Sequence, residues 1–402
     1  MGSGSPARRV AHRVLVRVFD EGAYADRAFA GEAADLDARD RAFAQRISYG
    51  AIQRVRTLDH AVESIGGRAV AALDVPVRAA LRLGAYELAY LDGVPARASV
   101  NEAVELVRVA GAGRATGLVN AVLRRVAEQI RPLLDGLPED TPLHAALKHS
   151  YPDWIAETWW REWGGDEALE LMRAQNDPAE TAVRVVGTGE ARVVDRIEPE
   201  WLEQGLVWPQ SRGSQLAGLA VGAQAGERVL DLCAAPGGKA TQLAERAAEV
   251  VAVELHPGRA RELEENARRL GAHNVTVVNA DARELPAELA GFDRVLVDAP
   301  CSGLGVLASR PDLRWRAQPL PELQLELLRV AAERVRAGGT VSYSVCTIAA
   351  AENEQVVEAS GLEVEPLGDE WPEYAHPRRP EFLLTLPHRH HTSGFFIARL
   401  RA

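Results

Sequence analysis

Through the first third of the chain apolar residues return every three or four positions, the spacing of helices that bury one face. Val10, Val14 and Val18 begin the series, Phe43 and Ile47 continue it, and Leu81, Ala85 and Leu88 follow. Val100, Val104 and Val107 come next, then Leu118, Val119, Val122, Leu123 and Val126. Breaks at Gly66-Gly67, Pro76, Pro95 and Gly111–Gly113 divide residues 6–130 into six or seven helices. Pro132, Gly136, Pro138 and Pro142 mark a linker, which predicts a helical domain over 1–135.

Residues 143–210 read as a small connecting subdomain, with a tryptophan-rich helix (Trp154, Trp159, Trp160, Trp163) ahead of strands at Thr181–Val186 and Ala191–Val194. These tryptophans are read as core, not as a platform for stacked bases. From residue 211 to 402 the rhythm becomes strand, helix, strand. Apolar strands are expected at Arg228–Leu232, Glu249–Glu254, Val275–Asn279, Arg294–Asp298 and Thr340–Ser344, with helices at 238–247, 257–271, 321–336 and 351–358. Such alternation predicts an α/β domain with a mostly parallel sheet covered on both faces, and the run Gly394–Leu400 is expected to close it.

Composition narrows the class. A chain of 402 residues, 47% apolar and 26% charged, is an ordinary globular protein with room for two or three domains. No stretch approaches a membrane span, and the start, Met1-Gly-Ser-Gly-Ser-Pro6, has neither a signal core behind it nor the hydroxyl residue at position 6 that myristoylation needs. Three cysteines without a pairing pattern fit a reducing compartment, so the expected location is the cytoplasm, and the expected state a monomer. The net charge of −11 argues against a nucleic-acid partner only on average. Residues 1–130 carry 18 Arg, no Lys and 15 acids, a local balance of +3 that leaves −14 for the remainder. A local basic surface is what phosphate contact requires. Of 46 basic residues only Lys148 and Lys239 are lysines, so a lysine retained at Lys239 points to a tight site that a guanidinium does not suit.

All three cysteines fall in short motifs that follow apolar runs: Asp231-Leu-Cys-Ala-Ala-Pro-Gly-Gly-Lys239, Asp298-Ala-Pro-Cys-Ser-Gly303, and Tyr343-Ser-Val-Cys-Thr347. Each should sit at the C-terminal edge of a strand, where open α/β sheets bind ligands. Cys233 fits a small buried apolar residue as well as it fits a site. The Pro-Gly-Gly turn is neither a dinucleotide fingerprint nor a phosphate loop. Glu254 ends the second strand, where an acid takes ribose hydroxyls, and Asp281 follows the third, within reach of an adenine amino group. Glycine turn, ribose acid and third acid together suit an adenosyl ligand without a pyrophosphate, S-adenosylmethionine. Two thiols and an acid beside it match methylation at C5 of cytosine. That carbon becomes nucleophilic only after a thiolate adds at C6 while N3 is protonated or hydrogen-bonded, and the C5 proton must then leave. Cys346, Cys301 and Asp298 supply these roles, and chemistry alone allows the two cysteines to be exchanged.

With Arg310-Pro-Asp-Leu-Arg-Trp315, Glu352-Asn353 and Gly394-Phe-Phe-Ile-Ala-Arg399, these strings resemble the Sun-type (Fmu) family of RNA cytosine-5 methyltransferases. The helical region resembles the NusB-like RNA-binding domain through Arg39-Asp-Arg41, Tyr49-Gly50, Leu83-Gly-Ala-Tyr86 and Val119-Asn-Ala-Val-Leu-Arg124. The resemblance implies an all-α NusB-like domain joined to a Rossmann-like class I methyltransferase domain, with RNA, most of all small-subunit ribosomal RNA, as partner. It implies Cys346 as nucleophile and Cys301 as auxiliary. It also implies a methyl-donor pocket lined by Cys233, Ala234, Ala235, Pro236, Gly237, Gly238, Lys239, Glu254, Arg259, Asp281 and Asp298. The chain departs from the family at Glu254, where Asp is usual, at Val345, where Thr is usual, with Thr347 after the cysteine, and after Arg184-Val185-Val186, where an Asn is usual.

His388, His390 and His391 lack an acidic or cysteine partner at ligand spacing and read as a loop, so no metal is expected. Rival readings are a transfer RNA methyltransferase, a DNA cytosine methyltransferase using Cys301, and a non-catalytic RNA-binding assembly factor.

Overall fold

The computed structural model describes residues 4–401; Met1–Ser3, the beginning of the start read against a signal core and myristoylation, and Ala402 lie outside it. The chain forms two compact units, residues 1–176 with 307–316, and residues 177–306 with 317–402.

The first unit is helical: α1 (Pro6–Phe19), α2 (Ala25–Glu32), α3 (Ala38–Gln53), α4 (Val55–Gly66), α5 (Val75–Tyr90), α6 (Ala96–Val109), α7 (Thr116–Asp135), α8 (Pro142–His149), α9 (Asp153–Trp163) and α10 (Gly165–Ala174). The boundaries follow local chemistry. Proline opens α1, the Asp37 carboxylate caps α3 by accepting from Asp40 N at 2.8 Å, and Gly67, with φ 73°, ends α4. Val14, Ile47, Leu81, Val107, Leu123 and Val126 are buried in one apolar core, as the periodicity predicts, while Val10, Phe43, Val104 and Leu118 are only half-buried at its rim. A side chain at Gly50 would overlap the Tyr86 ring, which is why two separated motifs of the helical region belong together. Trp159 is fully buried against Tyr151, with ring centroids 5.2 Å apart, whereas Trp154 is exposed.

Residues 307–316, distant in sequence, are built into this unit. Arg314 is fully buried, donates to the carbonyls of Gln53, Ser150 and Gln175, and lies 4.1 Å from the Tyr151 ring centroid. Trp315 Nε1 donates to Ile52 O at 2.7 Å.

The second unit begins with β1 (Ala182–Val185), β2 (Ala191–Val193), α11 (Pro199–Glu203) and β3 (Val207–Pro209), a small antiparallel sheet in the order β2-β1-β3. The segment 143–210 is thus divided, its helices α8–α10 lying in the first unit and its strands, with the short α11, in the second. Then come α12 (Arg212–Ala220), β4 (Arg228–Asp231), α13 (Gly238–Ala244), β5 (Glu249–Glu254), α14 (Pro257–Arg269), β6 (Val275–Asn279) and β7 (Phe292–Asp298). After α15 (Leu313–Arg316), which belongs to the helical unit, follow α16 (Pro321–Arg334), β8 (Val335–Val345), α17 (Glu354–Ser360), β9 (Glu363–Glu365), β10 (Leu383–Thr385), α18 (Pro387–His390) and β11 (Phe395–Arg401).

The main sheet runs β10-β11-β8-β7-β4-β5-β6 among the described residues, with β9 also paired to β11. Strands β8, β7, β4, β5 and β6 are parallel, so their C-terminal ends share one edge. Three sequence expectations are corrected. The run at 394–400 does not close the sheet: β11 is antiparallel to β8 on one side and to β10 and β9 on the other. Its two flanking strands are three residues each, too short to announce themselves. Residues 335–336, expected to be helical, open β8, because α16 stops at Arg334 and a register shift leads into Gly338, with φ 75°. The helix expected at 351–358 is a 3₁₀ turn at Ala350–Glu352 followed by α17, broken at Asn353.

Among the described residues no helix is long and apolar enough to cross a membrane.

Candidate active site

The site is built on the shared edge of β8, β7, β4, β5 and β6. Asp231 ends β4, Glu254 ends β5, Asp298 ends β7 and Cys346 directly follows β8. Backbone pairing sets Asp298 opposite Ser344, and Ala299 N donates to Ser344 O at 2.9 Å, so the two cysteine motifs leave adjacent strands.

The sulfurs of Cys301 and Cys346 are 3.4 Å apart. Beside them, Asp298 Oδ2 accepts from Lys239 Nζ at 2.7 Å and its Oδ1 accepts from Ser344 Oγ, also at 2.7 Å. Lys239 Nζ also lies 4.9 Å from the Phe395 ring centroid, within cation–π range. The thiols are electrostatically unlike. The hydrogen bond from Cys301 holds Cys346 below the ordinary thiol range, against burial, and Lys239 adds to the effect. That same bond, with burial, pushes Cys301 well above it. At neutral pH Cys346 is therefore the better nucleophile.

The turn of residues 233–238 lies between β4 and α13. Ala234 N donates to Val253 O at 2.9 Å, the Ala235–Pro236 peptide is cis, and Gly237 adopts φ 110°. A Cβ on Gly238 would lie 2.5 Å from Trp208 Nε1, so β3 backs this turn directly. Fully buried Arg184, on β1, donates to Thr241 Oγ1 at 2.8 Å and pairs with Glu245 on the same side. The departure after Arg184-Val185-Val186 thus falls in the turn that follows β1, the strand whose Arg184 supports this site. Arg259 Nη2 donates to Ala235 O at 2.7 Å, and its Nη1 lies 3.6 Å from Glu254 Oε2.

The acids around this turn fit an adenosyl sulfonium ligand. Buried Glu254 accepts from His256 N through Oε1. Asp231 is buried, its Oδ1 accepts from Cys233 N at 3.2 Å, and its Oδ2 has no hydrogen-bond partner among the described residues. Burial first, and the nearby Asp298 second, push Asp231 up to about 7. A buried, unsatisfied acid beside a second one is a receptor for a cation, which a sulfonium or an ammonium supplies. The Cys233 thiol is pushed up by burial and by Asp231, so it is a poorer nucleophile than Cys346. Asp281 stands two residues beyond β6 with its carboxylate engaged by Arg283, Oδ2 accepting from Nη2 at 2.7 Å. Its contribution to an adenine amino group would have to compete with that arginine.

Sequence reasoning did not single out Ser344, Phe395 or Trp208. Each looks like a core strand residue in the sequence, and only strand pairing gives it a role. Among the described residues no group of three or more His, Cys, Asp and Glu could hold a metal ion.

The architecture has counterparts. Residues 219–401 match the family model described as 16S rRNA methyltransferase RsmB/F, and residues 5–128 match the NusB family. The chain is 33% identical to a probable ribosomal RNA small subunit methyltransferase B of Synechocystis, over 98% of this chain and 99% of that protein. It is 37% identical to the ribosomal RNA small subunit methyltransferase B of Thermus thermophilus, over 89% of this chain and 88% of that one. The crystal structure of PH0851 superposes with a TM-score of 0.81 at 24% identity, covering all of both chains, a likeness of fold.

Proposed function

As the chain belongs to the 16S rRNA methyltransferase RsmB/F family and is an S-adenosylmethionine-dependent RNA methyltransferase, we propose that it methylates C5 of a cytosine in small-subunit ribosomal RNA through a transient bond from Cys346 Sγ to C6 of the base. The observation that carries this reading is the sulfur pair, 3.4 Å apart, beside a carboxylate whose two oxygens are already held by Lys239 and Ser344.

Each residue has a task. The Cys346 thiolate adds to C6, and the electron pair of the C5–C6 bond becomes available at C5. Asp298, fixed from both sides, accepts from the N4 amino group of the cytosine edge and, once N3 has taken up a proton from solvent as the thiolate adds, from N3–H as well, which keeps the ring oriented and accepting. S-adenosylmethionine supplies an electrophilic methyl group, and the acids Asp231 and Glu254 suit its cationic and ribose portions. After transfer, Cys301 assists removal of the C5 proton, and the C6–S bond breaks to regenerate C5=C6 and the Cys346 thiolate. The lowered thiol is the one that attacks, and Cys301 takes the C5 proton as a thiolate, after releasing its own proton to solvent.

The test is a pair of variants assayed with labelled methyl donor. Cys346→Ala should lose methyl transfer to 16S ribosomal RNA while binding the donor normally. Cys301→Ala should accumulate a covalent protein–RNA adduct, visible as a retarded band on a denaturing gel. Undiminished turnover by Cys346→Ala overturns the assignment, and preferential labelling of transfer RNA or duplex DNA overturns the substrate.

A further inference from the structure

We propose that Thr347 is a positioning residue for methyl transfer, acting through a buried Thr347–Ser302–Glu352 chain that sets the spacing of the two sulfurs. The proposal rests on the nucleophile assignment above and extends it to residues that touch no substrate atom.

Each cysteine is followed by a hydroxyl residue, Cys301 by Ser302 and Cys346 by Thr347, and the two hydroxyl oxygens are 2.9 Å apart. The direction of this bond follows from its neighbour. Ser302 Oγ donates its single proton to Glu352 Oε2, so the proton between the hydroxyls comes from Thr347. Glu352 is fully buried and has no cationic partner among the described residues, and Thr347 and Ser302 are buried as well. Its charge is held entirely by donors: Ser302 N at 3.0 Å, Leu320 N at 3.1 Å, Gln324 Nε2 at 2.9 Å and the Ser302 hydroxyl. Gln324 Nε2 also reaches Pro300 O at 2.9 Å, and Tyr343 OH donates to Glu352 O at 2.6 Å. One carboxylate therefore fixes residues 300 and 302, on either side of Cys301, and through Ser302 the residue after Cys346.

Packing does not require this arrangement. A valine at position 347 would have nearly the same shape without a hydroxyl, and a buried carboxylate held by hydrogen bonds without a counter-charge is costly to maintain. What the chain adds is a fixed relation between two loops from neighbouring strands. Attack at C6 and proton removal at C5 concern adjacent ring atoms, so two sulfurs serving them must keep their separation. Misplacement of a reacting group by about 1 Å costs on the order of a hundredfold in rate.

The experiment compares Thr347→Val, which keeps shape and loses the hydroxyl, with Thr347→Ser, which keeps the hydroxyl. In the full chain, Thr347→Val should lower the single-turnover methylation rate about 10- to 100-fold, with KM for RNA and donor affinity within about twofold, and Thr347→Ser should restore the rate. An independent readout is the rate at which diamide, a diazene that takes up the two thiol hydrogens, joins Cys301 to Cys346 as a disulfide. That rate should change severalfold in Thr347→Val and return in Thr347→Ser. Should Thr347→Val fail to fold, Ser302→Ala breaks the same link from the other loop and is read identically. Wild-type methylation and cross-linking rates in the hydroxyl-free variant overturn the proposal, as does an equal loss of donor binding, which marks a general structural role. The two readings fail separately: an active Cys346→Ala sinks the nucleophile assignment, while an unchanged cross-linking rate sinks only the positioning chain.

Discussion

The Lys239 ammonium sits 2.7 Å from Asp298 Oδ2 and 4.9 Å from the centre of the Phe395 ring, so this lysine is held by an acid on one strand and an aromatic face on another. Its side chain is only 10% exposed. The geometry accounts for a lysine surviving in a chain that otherwise uses arginine, because a compact ammonium fits where a planar fork does not. Lys239→Met should reduce methyl transfer about a hundredfold, within the range typical of lost charge stabilisation. It should also raise the pH at which Cys346 reacts with iodoacetamide, since a cation that favours the thiolate is gone. In the unaltered enzyme, mass spectrometry of briefly alkylated protein at neutral pH should find Cys346 labelled before Cys301, the lower-pKa thiol holding more thiolate. Full activity in Lys239→Arg would contradict the steric part of this account.

Asp231 gives a pH signature in stability. Its folded value of about 7 lies above its ordinary 3.8. Between those limits the folded chain keeps a proton that the unfolded chain releases, so this residue's contribution makes stability fall as pH rises from about 4 to about 7, and flatten above. Asp231→Asn removes that leg while an oxygen remains to accept from Cys233 N. Thermal melts of donor-free protein should show the variant gaining on the unaltered enzyme between pH 5 and pH 8. Parallel curves across that range would refute the assignment.

Arg314 tests the helical unit. Burial pushes its guanidinium down to about 10, and its neighbours are the carbonyls of Gln53, Ser150 and Gln175 with Asn176 Oδ1, not a carboxylate. Arg314→Leu strands these acceptors and should destabilise the unit by about 3 kcal/mol or more, read as a lower urea midpoint. A midpoint within error of the unaltered protein would show the acceptors to be dispensable.

The sequence by itself determined the helical and the α/β halves, the five parallel strands and the cluster of motifs at their ends, because period and turn chemistry are local properties of the chain. It also singled out Cys346, Cys301 and Asp298, which stand at or just after the ends of apolar runs, and Lys239, one of two lysines in an arginine-rich chain, in settings that packing alone does not explain. Tertiary structure decided the rest. The three-residue strands flanking β11 carry too little pattern to be read locally, and they owe their conformation to pairing with it. Residues 307–316 lie in the helical unit although they follow the Cys301 motif, since Arg314 finds its acceptors on residues more than 130 positions away. Which thiol is the more acidic depends on the bond between their sulfurs and on the charges of Lys239 and Glu352, distances that no spacing along the chain encodes.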